Sequence, residues 1–153
     1  QTKFGPVRTD HILFICAGSF HISRASHLIP ELQGRLPIRV ILDNLGEDDF
    51  RRILSEPQNS LTKQYEMLLA VDGIEVTFNP DGLDELAHFA QEINSKIENI
   101  GARRLHTLME RLLEEHLYAA PDCGPMKVEI GPAEVRDRIG PLARDAAAHD
   151  RVL

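Results

Sequence analysis

The sequence predicts an α+β chain that is mainly helical. Three observations carry this: apolar stripes at helical spacing fill most of residues 46–141, two short alternating segments interrupt them, and two continuous apolar runs stand apart near the start. The first run is Ile12, Leu13, Phe14 and Ile15; the second, residues 38–42, follows Pro37. Both predict strands buried on two faces, as in a parallel sheet. Two strands cannot cover both faces by themselves, so they predict the last two strands of a larger sheet whose other members lie outside the chain. Residues 18–37, between them, hold two glycines, two prolines and several polar side chains, the composition of a functional loop with a short helical stretch.

From Gly46 the pattern is helical. Phe50, Ile53 and Leu54 form one face, and Leu61, Tyr65, Leu68 and Leu69 another after a cap near Asn59 or Ser60. Leu83, Leu86, Ala87, Ala90, Ile93 and Ile97 give a third stripe. The cleanest is Leu105, Leu108, Met109, Leu112 and Leu113, at i, i+3, i+4, i+7 and i+8, and it reads as core packing. Residues 74–78 and 127–130 alternate, predicting two short strands of a small half-exposed sheet. A last helix is expected from near Pro132 to near Pro141 or soon after it.

Composition bounds the function. The 153 residues carry 17 Lys+Arg against 24 Asp+Glu, a net charge of −7, which argues against a nucleic-acid partner bound through clustered cations. With 42% hydrophobic and 27% charged residues the chain can form a core. Its longest apolar run, residues 12–17, is far short of the roughly 20 residues that span a bilayer, so a soluble protein without a membrane partner is expected. Cys16 sits in that run, where it reads as a small buried hydrophobe, and Cys123 in a Pro/Gly-rich loop. No Cys-x-x-Cys pair occurs, and a reducing, cytoplasmic setting follows. The start at Gln1, within about ten residues of a strand pattern, predicts a piece of a longer chain.

Seven histidines invite a search for metal or nucleophile sites, and no metal site emerges: there is no His-Glu-x-x-His, and no Gly-x-Ser-x-Gly surrounds a serine. A hydrolase built on Cys16 with His21 as base would require a reactive thiol. No Gly-x-x-x-x-Gly-Lys-Ser/Thr cradle is present either, so this polypeptide has no phosphate loop or magnesium site of its own. Arginine placement is more informative. Arg35 lies between Gly34, which loosens the backbone, and Leu36-Pro37, where proline restricts the residue before it, an arrangement that can present a cation outward to an anion. Arg103 and Arg104 fall in the expected first turn of a long helix. Cations there oppose the helix dipole at a cost of about 0.3–1 kcal/mol each, so Glu98, another carboxylate or a phosphate should compensate them. Neighbouring helical residues point about 100° apart, so only one of the two can face a given ligand.

At these segments the chain resembles the C-terminal third of the HslU (ClpY) family, AAA+ unfoldase ATPases of bacterial HslUV proteases. The resemblance is carried by residues 9–15, Phe20-His21-Ile22-Ser23, residues 28–40 and residues 98–107. It implies two regions. Residues 1–44 would be the end of the large P-loop α/β ATPase domain, with the sensor-1 strand, the arginine-finger loop and the last strand. Residues 45–153 would be the small helical AAA+ (lid) domain with its two-stranded sheet, sensor-2 helix and C-terminal tail. The implied roles are Arg35 as the arginine finger reaching ATP on the neighbouring subunit, Arg103 as the sensor-2 arginine, and Glu31 as a nucleotide-site residue that positions an arginine. Arg151, Val152 and Leu153 would dock into an HslV-type peptidase. ATP or ADP would be the cofactor, with magnesium held by the absent part. A hexameric ring of like subunits, unfolded protein substrates, cytoplasmic ATP-dependent proteolysis and stress response are also implied. The segment Cys16-Ala17-Gly18-Ser19 offers no Asn or Thr for sensor 1, and no aromatic precedes the final residues. The chain alone is expected to be inactive. The alternative from another class is a non-enzymatic helical adaptor that docks on a peptidase or an ATPase ring.

Overall fold

The structure, a computed structural model, describes residues 2–20, 22–97, 99–120 and 125–149, the last five of these as helical backbone only. It divides into two compact units between Leu42 and Asp43.

The first unit holds a single turn, Ala25–His27, and a short helix α1, Pro30–Arg35. Pro30 opens α1 at its first position, where a missing N–H costs nothing, and the Leu36 N–H closes it on the Leu32 carbonyl. Gly34 is therefore helical, and Arg35 ends a helix rather than riding a loosened loop. Gln33 donates to the carbonyls of Leu28 (2.6 Å) and Ser26 (3.1 Å), tying α1 to the turn before it. The expected strands at 12–15 and 38–42 are not formed: both segments lie outside any sheet, with Leu13 82% and Ile41 91% exposed. The reason is the one that makes such runs readable at all. A strand apolar on both faces is held by neighbours in its sheet and by layers above and below, and none of these is among the described residues. Cys16, expected to be buried there, is exposed. No hydrophobic side chain of this unit is buried among the described residues.

The second unit contains the core. Helices α2 (Glu47–Ser55) and α3 (Leu61–Val71) lead to strand β1 (Ile74–Phe78); α4 (Pro80–Lys96) and α5 (Arg103–Ala119) precede β2 (Met126–Ile130), and α6 (Pro132–His149) follows. β1 and β2 run parallel, in register from Ile74 with Met126 to Phe78 with Ile130. A parallel pair needs a long crossover, and here α4 and α5 supply it. Alternation sends Ile74, Val76, Val128 and Ile130 inward, while Glu75 and Lys127 pair across the wet face at 2.7 Å. All five residues of the α5 stripe are fully buried or nearly so, against Phe50 and Leu54 of α2, Leu86 and Ala90 of α4, and Val135 and Ile139 of α6.

Three expectations shift. Leu68 and Ile97 are exposed: the apolar face of α3 turns on Leu61 and Leu69, and Ile97 follows the end of α4 with extended backbone, so the helical period no longer projects it inward. Ser60 does begin α3, but its hydroxyl contacts that of Thr62 (2.9 Å) instead of capping a backbone N–H. Helix α6 runs through Pro141 and ends at His149, eight residues past that proline, where a stop near it or soon after was expected. Among the described residues no helix is long and apolar enough to cross a membrane.

Helix α4 is clasped to both neighbours by ion pairs. Arg51 of α2 meets Asp84 at 2.8 Å, and Arg136 of α6 grips Glu85 with two nitrogens at 2.7 and 2.8 Å. The hydrogen bonds from Arg136 hold the Glu85 carboxyl below the ordinary glutamate range; partial burial opposes them, and the charges of Arg136 and His88 add to the lowering. A carboxylate whose pKa is depressed by folding stabilises at pH values above its unfolded pKa and loses that stabilisation as pH falls through its folded one. Glu85→Gln is accordingly expected to lower the melting temperature by roughly 2 °C at pH 7, with the difference closing in acid below the ordinary glutamate range. A gap that persists unchanged below that range would assign the loss to packing instead. The comparison needs only paired melting curves across pH.

Candidate functional site

The end of α4 and the loop after it place the start of α5. Asn94, buried in the last turn of α4, donates to the Gly101 carbonyl (3.1 Å) and accepts from Arg104 Nε (3.1 Å). Gly101 takes a left-handed backbone, φ +58°, a conformation that costs a residue with a Cβ about 1 kcal/mol or more. The Gly101 N–H returns to the Asn99 side chain at 2.9 Å. This braced corner separates the two arginines. Arg104 is half-buried against Asn94, and Arg103 stands exposed.

Arg103 lines a cleft of about 520 Å³ between the starts of α3 and α5. One wall is Asn59, Ser60, Leu61 and Gln64; the other is Ile100, Ala102, Arg103 and, one turn on, His106. Ile53 and Pro57 complete it. Among the described residues no carboxylate lines this cleft, and neither α3 nor α5 has an acidic residue in its first turn, whereas α1, α2, α4 and α6 each do. Glu98, the neighbouring carboxylate that could answer Arg103, lies outside the described residues.

A second cleft, of about 580 Å³, has the opposite character. Glu47, Asp81, Asp84 and Glu85 line it with His88 and Arg136, and Arg51 pairs with Asp84 from beside it. Four carboxylates repel a phosphate, so the anion candidate is the smaller cleft at Arg103. Among the described residues no group of three or more His, Cys, Asp or Glu side chains is placed to hold a metal ion.

The remaining expected site residues fall elsewhere. Glu31 and Arg35 are in the second and last positions of α1, both exposed, and no hydrogen bond or ion pair joins them. Arg151, Val152 and Leu153 lie outside the described residues, as do His21 and Cys123. Sequence reasoning missed Asn94 and Gln33, the two amides that brace the segments bearing Arg103 and Arg35. Asn94 had a readable signal: it follows Ile93 on the buried side of an amphipathic helix, where an amide needs partners.

No family model matches the chain. Curated relatives do, and the class they define is the ATPase subunit of an ATP-dependent protease. The relative from Rhodospirillum centenum is 56% identical across 95% of this chain, that from Geobacillus kaustophilus 53% across 100%, and that from Thermotoga petrophila 54% across 95%. Each bears the name HslU, and this chain matches the C-terminal part of it. The chain spans about a third of the relatives' length: 33%, 33% and 31%.

Proposed function

We propose that this chain is the C-terminal part of the ATPase and unfoldase subunit of an HslUV-type protease. In this reading residues 1–44 end the large ATPase domain and residues 45–153 form the small lid domain. Arg35 reaches the ATP of the next subunit as the arginine finger, and Glu31 contributes to the same nucleotide site. Arg103 touches the subunit's own nucleotide as sensor 2. Arg151, Val152 and Leu153 dock on an HslV-type peptidase. The working particle is a hexameric ring in the cytoplasm that unfolds protein substrates, with ATP or ADP as its nucleotide and magnesium held by the P-loop part. By itself the chain does not hydrolyse ATP, because it contains no phosphate-cradling loop and no magnesium-binding carboxylates at the end of a strand.

One observation carries the reading. Of two adjacent arginines at the start of α5, one is fixed to the fold through Asn94 and the other is left over a cleft that has no carboxylate among its described lining residues. An arginine so placed, in a chain with net charge −7, is suited to an anion brought from outside its own unit, and the guanidinium fork matches phosphate oxygens.

The test is a chimaera: this chain joined to the remaining two-thirds of the Geobacillus kaustophilus relative, with which it aligns over 100% of its length. Arg103→Ala in that chimaera is expected to weaken ADP and ATP binding about tenfold, the usual scale for one charge-assisted contact. Arg104→Ala should lower stability more than affinity. Equal nucleotide affinity with and without Arg103 would remove the sensor-2 role.

A further inference from the structure

We propose that the cleft between the starts of α3 and α5 holds a di- or triphosphate group within this chain itself, and that His106 shares the anion with Arg103. The inference rests on the reading of Arg103 given above and extends it to a second side chain. Arg103 and His106 are three residues apart on α5, so both project from one face, separated by about 4.5 Å along the helix axis. Both line the same cleft. Two donors at that spacing can engage adjacent phosphoryl groups, one each, where a single arginine grips only one.

Three further facts favour His106 as a ligand-facing group over a surface residue. Its ring is exposed and, among the described residues, has no hydrogen-bond or ion-pair partner. The opposite wall presents Gln64, whose amide nitrogen is held on the Asn59 carbonyl at 3.0 Å and keeps a second N–H for a guest. The sign of the cleft is also unusual for an acidic chain: among the described residues no carboxylate lines it. By contrast His88 and His116, which face other elements of the unit, each sit against a glutamate. A cleft whose described lining holds an arginine, a histidine, two amides and no acid selects for negative charge.

The experiment is an NMR titration of the isotope-labelled 153-residue chain with pyrophosphate and with ADP up to about 10 mM, against chloride at matched ionic strength. Pyrophosphate is expected to shift the amides of residues 60–64 and 102–106, with chloride leaving them in place. His106→Ala should weaken pyrophosphate about fivefold, His106→Gln, which keeps a donor, should recover part of the loss, and His106→Glu should abolish binding. Because the ring is exposed, the amide spectrum away from the cleft should match wild type in every variant, so a lost response is a lost contact. If Arg103→Ala abolishes the shifts while His106→Ala and His106→Glu leave affinity unchanged, the role of His106 is overturned and that of Arg103 stands. If wild type shows no shift with about 10 mM pyrophosphate, the proposal is overturned outright, and the sensor-2 reading is then decided by the chimaera alone.

Discussion

Arg35→Ala in the chimaera is expected to reduce ATP turnover by 10³–10⁵-fold, equivalent to about 4–7 kcal/mol of transition-state stabilisation, while leaving most nucleotide affinity intact. In phosphoryl transfer, charge spreads over the equatorial oxygens of the group in flight, and a guanidinium presented to them stabilises the transition state more than the bound ATP. The consequence is a kcat effect with little change in binding. The position of Arg35 suits this role. It ends a six-residue helix stopped by Leu36 and Pro37, is exposed, and has no carboxylate to neutralise it among the described residues. Gln33, two residues earlier, fixes the helix to the turn before it, so Gln33→Ala should lower turnover less than Arg35→Ala and through the same step. The decisive measurement is steady-state ATPase activity beside equilibrium ADP affinity. Turnover within a few-fold of the parent chimaera would sink the finger assignment, and a loss of affinity as large as the loss of rate would move Arg35 from the transition state to simple binding. Arg103→Ala should give the complementary pattern, with affinity lost more than rate, if Arg103 contacts the subunit's own nucleotide as proposed.

The parts of this molecule that were legible in sequence are those that complete their own packing. Helix α5 was readable to the residue, because Leu105, Leu108, Met109, Leu112 and Leu113 meet their partners within the same unit. The alternating segments β1 and β2 were readable for the same reason: each is the other's neighbour. Residues 12–15 and 38–42 carry an equally strong strand signal, yet form none, since apolar pattern records what a segment needs and not whether this chain supplies it. Helix α6 extends well past Pro141 because proline removes one hydrogen bond without removing the packing of Val135, Ile139 and Ala143, which continues across it. At the candidate site, the division of labour between Arg103 and Arg104 followed from helical geometry alone; the choice of which arginine is free required Asn94. A polar brace of this kind leaves only a faint mark on periodicity, one amide among leucines and alanines.

Gly82 decides how closely α4 can approach the sheet, and replacing it should produce the largest loss of stability of any small substitution in the unit. It lies in the first turn of α4, fully enclosed, and a Cβ built there would stand 2.7 Å from the Ile130 carbonyl oxygen and 3.3 Å from Gly131. That oxygen cannot retreat cheaply, because it accepts the Asn79 N–H at 3.0 Å, the bond that joins the end of β2 to the residue before α4. The Asn79 side chain adds a bond of 2.7 Å to Glu129 from the same corner. Helix propensity alone would make Gly82→Ala stabilising by about 1 kcal/mol. The clash is the larger effect, since forcing atoms into packed space costs about 1–3 kcal/mol, and the stiff, branched Gly82→Val falls at or beyond the upper end. Gly82→Val is therefore expected to destabilise by about 3 kcal/mol, and Gly82→Ala by less. Urea unfolding of the two variants reads both losses. If Gly82→Val stabilised the unit, α4 and β2 would have to lie farther apart than they do here, and the corner that leads through α4 to Asn94, and from Asn94 to the orientation of Arg103, would need to be redrawn.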